Sequence, residues 1–569
     1  MVTVSMATFY IFTWFLWLQV IRIYGDDSDP PVNFPPTIPI AQGDFLNWAG
    51  DIQVSDLWIA TPADENDVLT MANWAAQNDF KLRASGFSHN WSPLTVTNGD
   101  NGNIVLVDTT SYLNNIQVPT QISASQYAVR AQTGASMLQL LTFLEKYGYG
   151  LYAYPAPGDI TIGGALAIGG HGTGVPYKGE KVPPSQALGT LSNLVISFTA
   201  VAWDETENQF ILKTFQRSDV EAKAFLVNFG RTFITEVTLL VGLNYNLRCK
   251  STTLVTKDEL FSLIPGPNAL STLLDETGRV EIITYPFTST PWLKIWSIEP
   301  TKPLLSREVT QPFNYIFSDN LPKSVTDIIG NMTKGAWALT PLLGTTMLTT
   351  TTTGLLATLT GDIWGPSKNL LLYVKPTTLR VTANGYAVIT ERSNVQRVVS
   401  TFNTYYDDLV AACQSAGEYP FNGPVEIRVT SLDNANVVAN SEVPSFSAIH
   451  PINDHPEYDT VIWFDVLSIP NTPYLNEAMR LLELFMLNEY NGDYASIRPE
   501  WSKGWAYTDE GAWTDIDFYR QFVPSTFPST TNADGWNWAV ETLDEYDPNG
   551  VFTNSFIDAL VKTVPQEIQ

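Results

Sequence analysis

Seven glycines fall within the twenty residues from Pro155 to Gly174, PAPGDITIGGALAIGGHGTG. Glycine tolerates positive φ and lets the backbone come close to a ligand. Successive backbone N–H groups in such a loop form a nest that suits a pyrophosphate. No GK[ST] follows, so this is not a Walker A loop. No strand-to-helix GxGxxG is present either, which excludes the dinucleotide-binding fingerprint. HGTG is similar to an esterase oxyanion loop, but the chain has no GxSxG. A phosphate-cradling loop remains, against the plainer alternative of a glycine-rich surface turn.

A chain of 569 residues exceeds one compact core, so two domains are expected. Its 31 basic and 58 acidic side chains leave a net charge of −27. That balance excludes a nucleic-acid backbone as partner and charge-driven docking on anionic lipid. A neutral or apolar small molecule fits better. The two cysteines, Cys249 and Cys413, permit one disulfide but no disulfide scaffold. No Cys/His cluster suggests a metal, and none is expected.

Residues 1–25 are apolar with Arg22 as their one charge. They read as a secretory signal peptide, with an uncleaved membrane anchor as the alternative, so a secreted protein is expected. A Pro-rich arm covers 26–43. From 44 to 242 short strands alternate with helices. One helix follows Asp64 with Val68, Met71, Ala72, Ala75 and Ala76 on one face, and another starts at Ser136. From 243 to 485 strand-like runs dominate, among them GRVEIITYPFT, LLLYVKPTTLRV, GYAVITER, PVEIRVTSLD and DTVIWFDVLSI. They imply an antiparallel sheet with helices on one side. Residues 486–569 form a C-terminal segment. The fold class is α+β, one domain holding the ligand loop and a cap built on a large antiparallel sheet covered by helices. Gly335–Gly361 carries no charge. Pro341 and the threonine run argue against a spanning helix there. The segment reads as a half-buried part of the cap, or as an apolar lip making transient membrane-surface contact.

Four histidines occur in the chain, and His89 sits in the turn-like RASGFSHNWSP. It is a packed residue, a metal ligand or an attachment point. His450 and His455 stand in a Pro/Asp-rich loop and read as solvent-exposed. In PVEIRVTSLD, Glu426 and Arg428 share one strand face while Val425, Ile427 and Val429 take the other. A charged pair on one side of an apolar sheet suggests the wall of an active site, where a guanidinium stabilises developing negative charge. Glu281, on an apolar strand, is either the partner of Arg279 or a base with a raised pKa. Trp501, Trp505 and Trp513 cluster near Lys503 and favour an apolar substrate.

The glycine loop, RASGFSHN, PVEIRVTSLD and RPEWSKGWAYT together resemble the vanillyl-alcohol-oxidase (PCMH-type) flavoproteins. They are most similar to the secreted bacterial cholesterol oxidases with covalently bound FAD. The likeness covers most of 45–565. It implies FAD, tethered through His89, with Arg83, Ser85, Gly86, Ser88 and Asn90 beside it. Further cofactor contacts are implied from Pro157, Gly158, Asp159, Thr161, Gly163 and Gly164, then from Gly169, His171, Gly172 and Gly174, and from Ile234 at the adenine end. Thr232 and Phe233 depart from the small residues usual there. The implied catalytic residues are Arg428 oriented by Glu426, Glu281 as general base, and Lys503 aiding oxygen activation. The reaction implied is oxidation of a sterol 3β-hydroxyl by O2, giving H2O2, with double-bond isomerisation through Glu281. The sequence leaves two alternatives: an alditol or sugar-lactone oxidase, and a flavin-binding protein without turnover.

Overall fold

The computed structural model describes residues 29–100, 102–315 and 321–562. The expected signal segment therefore lies outside the described residues, except for the arm from Asp29 onward. The first domain holds two sheets. One runs Ile40–Leu46, Gln53–Ala60, Ile104–Asp108, Lys81–Ser85, antiparallel at its first pair and parallel after it. Every residue of Ile104–Asp108 is buried, as a strand covered on both faces requires. The crossover is the helix Glu65–Asn78, started by Asp64, whose side chain accepts from Asn66 N–H and Asp67 N–H. Its buried face is Val68, Met71, Ala72, Trp74 and Ala75. The second sheet is antiparallel: Thr120–Gln121, Tyr127–Gln132, Phe233–Leu243, Val195–Asp204, Gln209–Gln216.

The cap is a nine-stranded sheet in the order Arg307–Glu308, Asp362–Pro366, Asn246–Thr252, Trp292–Ile298, Arg279–Thr284, Val425–Ser431, Thr460–Ser468, Thr382–Thr390, Ala495–Pro499. All pairs but the first are antiparallel. The helices Val395–Ser415 and Leu475–Glu489 cover it, Phe402 stacking on Phe464, and Glu483 accepting from the Tyr386 hydroxyl. One side of the seam between domains is a backbone junction. Gly174 N–H donates to Val429 O at 2.8 Å and Ser431 N–H donates to Gly174 O at 3.2 Å. Gly174 adopts φ +156°, and a Cβ there would meet Leu188 and Arg279. The glycine loop is thus bonded to the strand that carries Glu426 and Arg428.

Several expectations change. LLLYVKPTTLRV is not a strand: Ser367–Leu371 is a helical turn and the chain is irregular up to the strand beginning at Thr382. The arm ends earlier than 43, because Ile40–Leu46 is already paired. The C-terminal segment gives its strand Ala495–Pro499 to the cap before it returns, where Leu82 N–H donates to Val551 O at 2.8 Å. The threonine run is a helix, Thr340–Thr358, with Pro341 in its first turn, where its missing N–H costs nothing. Its hydroxyls bond back one turn, as in Thr345 Oγ1 to Pro341 O at 2.9 Å. No described helix is long and apolar enough to cross a membrane. Both cysteines are free, Cys249 buried in the sheet and Cys413 on the helix Val395–Ser415. His450 is half-buried, its pKa pushed down to about 4 by burial and by Arg498. His455 is likewise half-buried, beside Glu457 at 2.9 Å.

Candidate active site

A cavity of about 330 Å³ lies between the domains. Its walls are the loop around His89, the glycine loop, the segment Asn228–Ile234, and one face of the cap sheet. Ser85, Gly86, Ser88, His89 and Asn90 line it, as do Pro157, Thr161, Gly163, Gly164, Gly169, His171, Gly172, Thr232 and Ile234. The two loops touch closely: a Cβ on Gly86 would come 2.8 Å from Thr161 Cγ2. Thr161 caps the short helix Ile162–Ala167, accepting from Gly164 N–H at 3.1 Å.

His89 stands with its ring 4.0 Å from that of Trp48 and 5.7 Å from that of Trp91. Neither ring nitrogen meets a hydrogen-bond partner among the described residues. Burial, then Lys503 and Arg380, pull its pKa down to about 3. A neutral imidazole with unpartnered nitrogen, on the wall of a ligand cavity, has the chemistry an alkylated tether requires. A packed core residue would face no cavity. The metal alternative finds no support, as no cluster of His, Cys, Asp or Glu among the described residues could hold an ion.

Four residues implied as cofactor contacts have other roles in the structure, although Arg83 also lines the cavity. The Arg83 guanidinium is spent on backbone carbonyls, among them Leu94, Thr95, Gly230 and Phe552, so it braces the loop and has no donor left for a phosphate. Gly158 packs against Leu138 and Leu372 and does not line the cavity. Asp159 is also off the cavity wall, half-buried, with its pKa raised by burial. Gly174 is spent on the seam described above.

The cap contributes a charged layer. Register places Lys294 opposite Glu281, Glu281 opposite Arg428, and Arg428 opposite Trp463. The next rung sets Glu426 opposite Asp465, and Asp465 opposite Gly385. Opposite residues in antiparallel strands point to one face, so these side chains converge. Arg428 gives Nε to Glu281 at 2.9 Å, Nη1 to Asp465 at 2.8 Å and Nη2 to Glu426. Burial works against its charge, but Glu426, Tyr373, Glu281 and Asp465 outweigh that and raise its pKa. Gly385 is required here, because a Cβ would meet Lys503 Cγ at 2.6 Å and Asp465 Oδ1 at 2.8 Å. Lys503 Nζ then reaches Asp465 Oδ2 at 3.4 Å and Glu500 Oε1 at 4.0 Å, and lies 4.1 Å over the Trp91 ring.

Glu426, Arg428 and Lys503 line the cavity as expected. Glu281 does not. It is fully buried beneath Arg428, taking a bond from Lys294 Nζ at 2.7 Å and another from the Tyr373 hydroxyl. Burial pushes its pKa up, yet Lys294 and Arg428 hold it below the usual carboxylate range. It is an ionised anchor rather than a base with a raised pKa. Arg279 serves a different carboxylate, Glu180, at 3.0 Å. Trp501 and Trp505 are also off the wall, fully buried in an aromatic core with Phe229 and Phe527. The apolar wall comes instead from Trp296, Leu371, Val374, Leu379, Val381 and Leu467, with Tyr373.

Sequence reasoning missed Asp465, Glu500, Lys294 and Tyr373. Asp465 had a signal, as the one charge inside VIWFDVLSI. Glu500 had one too, a carboxylate between Pro499 and Trp501 in a segment already singled out. It lines the cavity, and burial followed by the charge of Asp465 lifts its pKa well above the usual carboxylate range. His171 backs this group: its ring stacks on Trp463 at 3.7 Å and Nε2 lies 3.9 Å from Glu500 Oε1.

Residues 246–562 match the family model for the cholesterol oxidase substrate-binding domain, and 57–182 match an FAD-binding domain. A solvent-stable cholesterol oxidase superposes with TM-score 0.92 at 46% identity, covering 94% of this chain and all of that one. Cholesterol oxidase from Brevibacterium sterolicum gives TM-score 0.91 at 40% identity, covering 94% of this chain and 99% of that one. L-gulonolactone oxidase 3 of Arabidopsis thaliana is 21% identical over 31% of this chain and 28% of its own length. L-gulonolactone oxidase of Mus musculus is 24% identical over 28% of this chain and 32% of its own. The chain thus spans about a third or less of those two curated relatives.

Proposed function

We propose, because this chain belongs to the cholesterol oxidase substrate-binding family, that it oxidises the 3β-hydroxyl of a sterol with FAD and O2, releasing H2O2. The observation that carries this reading is a single cavity with an apolar wall at Trp296, Leu371 and Leu467, a charged layer at Arg428 and Lys503, and a glycine loop between. Bound FAD supplies the acceptor for the carbinol hydride. The loops at 84–91 and 155–173 hold it, and His89 is the covalent tether. Arg428 and Lys503 offer positive charge to the carbinol oxygen as its proton leaves. Glu281, Glu426 and Asp465 fix the guanidinium by three separate contacts, so little reorganisation is needed when charge develops. Lys503 also faces the site where oxygen is reduced. The apolar wall excludes water and holds the sterol body. A carboxylate that moves the double-bond proton must reach the cavity, which Glu426 and Glu500 do and Glu281 does not.

Action outside the cell is part of the proposal and rests on the apolar run 1–25. So is brief contact with a lipid surface, supported by the uncharged helix Thr340–Thr358 with Leu342 and Leu356 exposed. The test is anaerobic mixing with cholesterol dispersed in detergent while the visible flavin band is followed. Bleaching is expected. Bleaching by an alditol or lactone alone would move the substrate to the sugar-lactone oxidases, and no bleaching by any alcohol would overturn the reading.

A further inference from the structure

Four carboxyls, Glu281, Glu426, Asp465 and Glu500, meet three cations, Lys294, Arg428 and Lys503, in the charged layer. Three of the four carboxyls have a cation in close contact. Glu281 has Lys294 at 2.7 Å and Arg428 at 2.9 Å, Asp465 has Arg428 at 2.8 Å and Lys503 at 3.4 Å, and Glu426 has Arg428. Glu500 has only Lys503, at 4.0 Å. It lies half-buried on the cavity wall, and a largely buried layer of this kind is electrically neutral when one carboxyl carries a proton. Glu500, whose nearest cation is the most distant of the set, is the member best placed to carry it. Its neighbour is Asp465, and the two carboxyls meet at Lys503 Nζ, at 4.0 Å and 3.4 Å. One oxygen of each, Glu500 Oε2 and Asp465 Oδ1, is buried with no partner among the described groups. Buried oxygens left this way are costly and call for a reason. The remaining neighbour, His171, turns Nδ1 to Gly172 O at 3.0 Å and Nε2 toward Glu500.

We propose that Glu500 and Asp465 form a proton store at the cavity wall, holding one proton at rest and a second while the cofactor is reduced. This rests on the oxidase reading above. In the first half-reaction the carbinol C–H leaves with its electron pair to FAD, and the O–H bond breaks with its proton going to the pair. In the second, dioxygen takes that electron pair with its hydrogen and the stored proton, and leaves as H2O2. The substrate proton never has to reach solvent. The extra positive charge also offsets the negative charge that two-electron reduction places beside it. Like-charged carboxyls that share a proton are the general device for such storage. Burial and the charge of Asp465 lift the pKa of Glu500, in keeping with the resting proton, whereas Lys503 and Arg428 hold Asp465 low, so the second proton is kept only while negative charge on the reduced cofactor stands beside the pair.

The test uses the holoenzyme in weak buffer with a pH-indicator dye, reduced anaerobically with cholesterol. Wild type is expected to bleach without delivering a proton to the dye. Glu500→Gln is expected to bleach more slowly and to deliver one proton for each flavin. A second measurement needs no sterol: the flavin midpoint potential followed against pH. Its slope should be steeper by one proton in wild type than in Glu500→Gln. Wild type that releases a full proton, or slopes that coincide, would overturn the store. If Glu500→Gln does not fold, the wild-type dye signal and slope still decide. Failure of cholesterol to bleach the flavin, with the steeper wild-type slope intact, would instead count against the substrate assignment alone.

Discussion

The cofactor loops and the cap's charged layer are built in opposite ways. The loops are local: twenty residues of backbone, shaped by glycine and capped by Thr161, make one wall of the cavity. The layer joins pairs far apart in the chain, such as Lys294 and Glu281, 13 positions apart, or Glu281 and Arg428, 147 apart. Strand register brings these distant pairs together. A site made of backbone tolerates side-chain loss, because no single group carries it. A site made of interlocked charges does not, because removing one member strands its neighbours in a buried place.

Arg428→Ala is the most severe way to break the layer. It leaves Glu281, Glu426 and Asp465 without their shared cation. Flavin reduction should fall by about 100- to 1,000-fold, as for loss of a preorganised stabilising donor. Stability should fall by about 3–5 kcal/mol, read by denaturant unfolding. Unchanged reduction by a sterol would remove Arg428 from the site.

Glu281→Gln sharpens the distinction between anchor and base. Lys294 would keep its aromatic surroundings, the Tyr373 ring 3.8 Å away and the Trp292 ring 4.3 Å away, but lose its counter-ion. A loss of about 3–5 kcal/mol is expected. Because the carboxylate is already ionised well below neutral pH, the acid limb of the reduction rate should keep its position. A limb that moves with this substitution would restore Glu281 as the base.

What could be read from the chain follows the same divide. Local signals were legible: the glycine density, the capping Asp64 and Ser136, and the alternation that puts Glu426 and Arg428 on one face. Register was not legible, so the partners of Glu281 were misjudged and Asp465 was passed over. Sequence neighbours also misled. Trp501 and Trp505 flank Lys503 in the chain, yet they point into the core while Lys503 faces the cavity. LLLYVKPTTLRV has the β-rich composition of a strand, but it runs along the cavity wall and bridges only once, where Val374 meets Pro157. Tertiary context overrode propensity there.

Acid should weaken the protein through its partly buried histidines. His171 and His450 are both lowered to about 4, chiefly by burial. The unfolded chain therefore binds more protons than the folded one between about pH 6.5 and pH 4, and stability falls as pH drops through that window. At pH 5 the loss is about 2 kcal/mol for each histidine. Thermal unfolding of the wild type and of His450→Gln at pH 5 and pH 7 checks it. The variant should lose less on acidification, and equal losses would show that His450 does not titrate in this window.

The mildest variant acts on the loop side. His89→Ala removes a ring that sits between Trp48 and Trp91 on the cavity wall, but it leaves the glycine loop and its seam to the cap in place. The protein should still bind FAD. Acid precipitation should then release the yellow colour to the supernatant, whereas wild type should keep it in the pellet. With the ring held by the loops alone, positioning becomes looser, and reduction should slow by about tenfold, roughly 1.4 kcal/mol of barrier. That is far less than the loss from Arg428→Ala, and the ratio of the two losses measures the comparison directly. Release of colour from wild type would end the tether reading while leaving the cavity and its charged layer as they are. A His89→Ala loss as large as that of Arg428→Ala would mean that the loop is no more tolerant of side-chain loss than the layer.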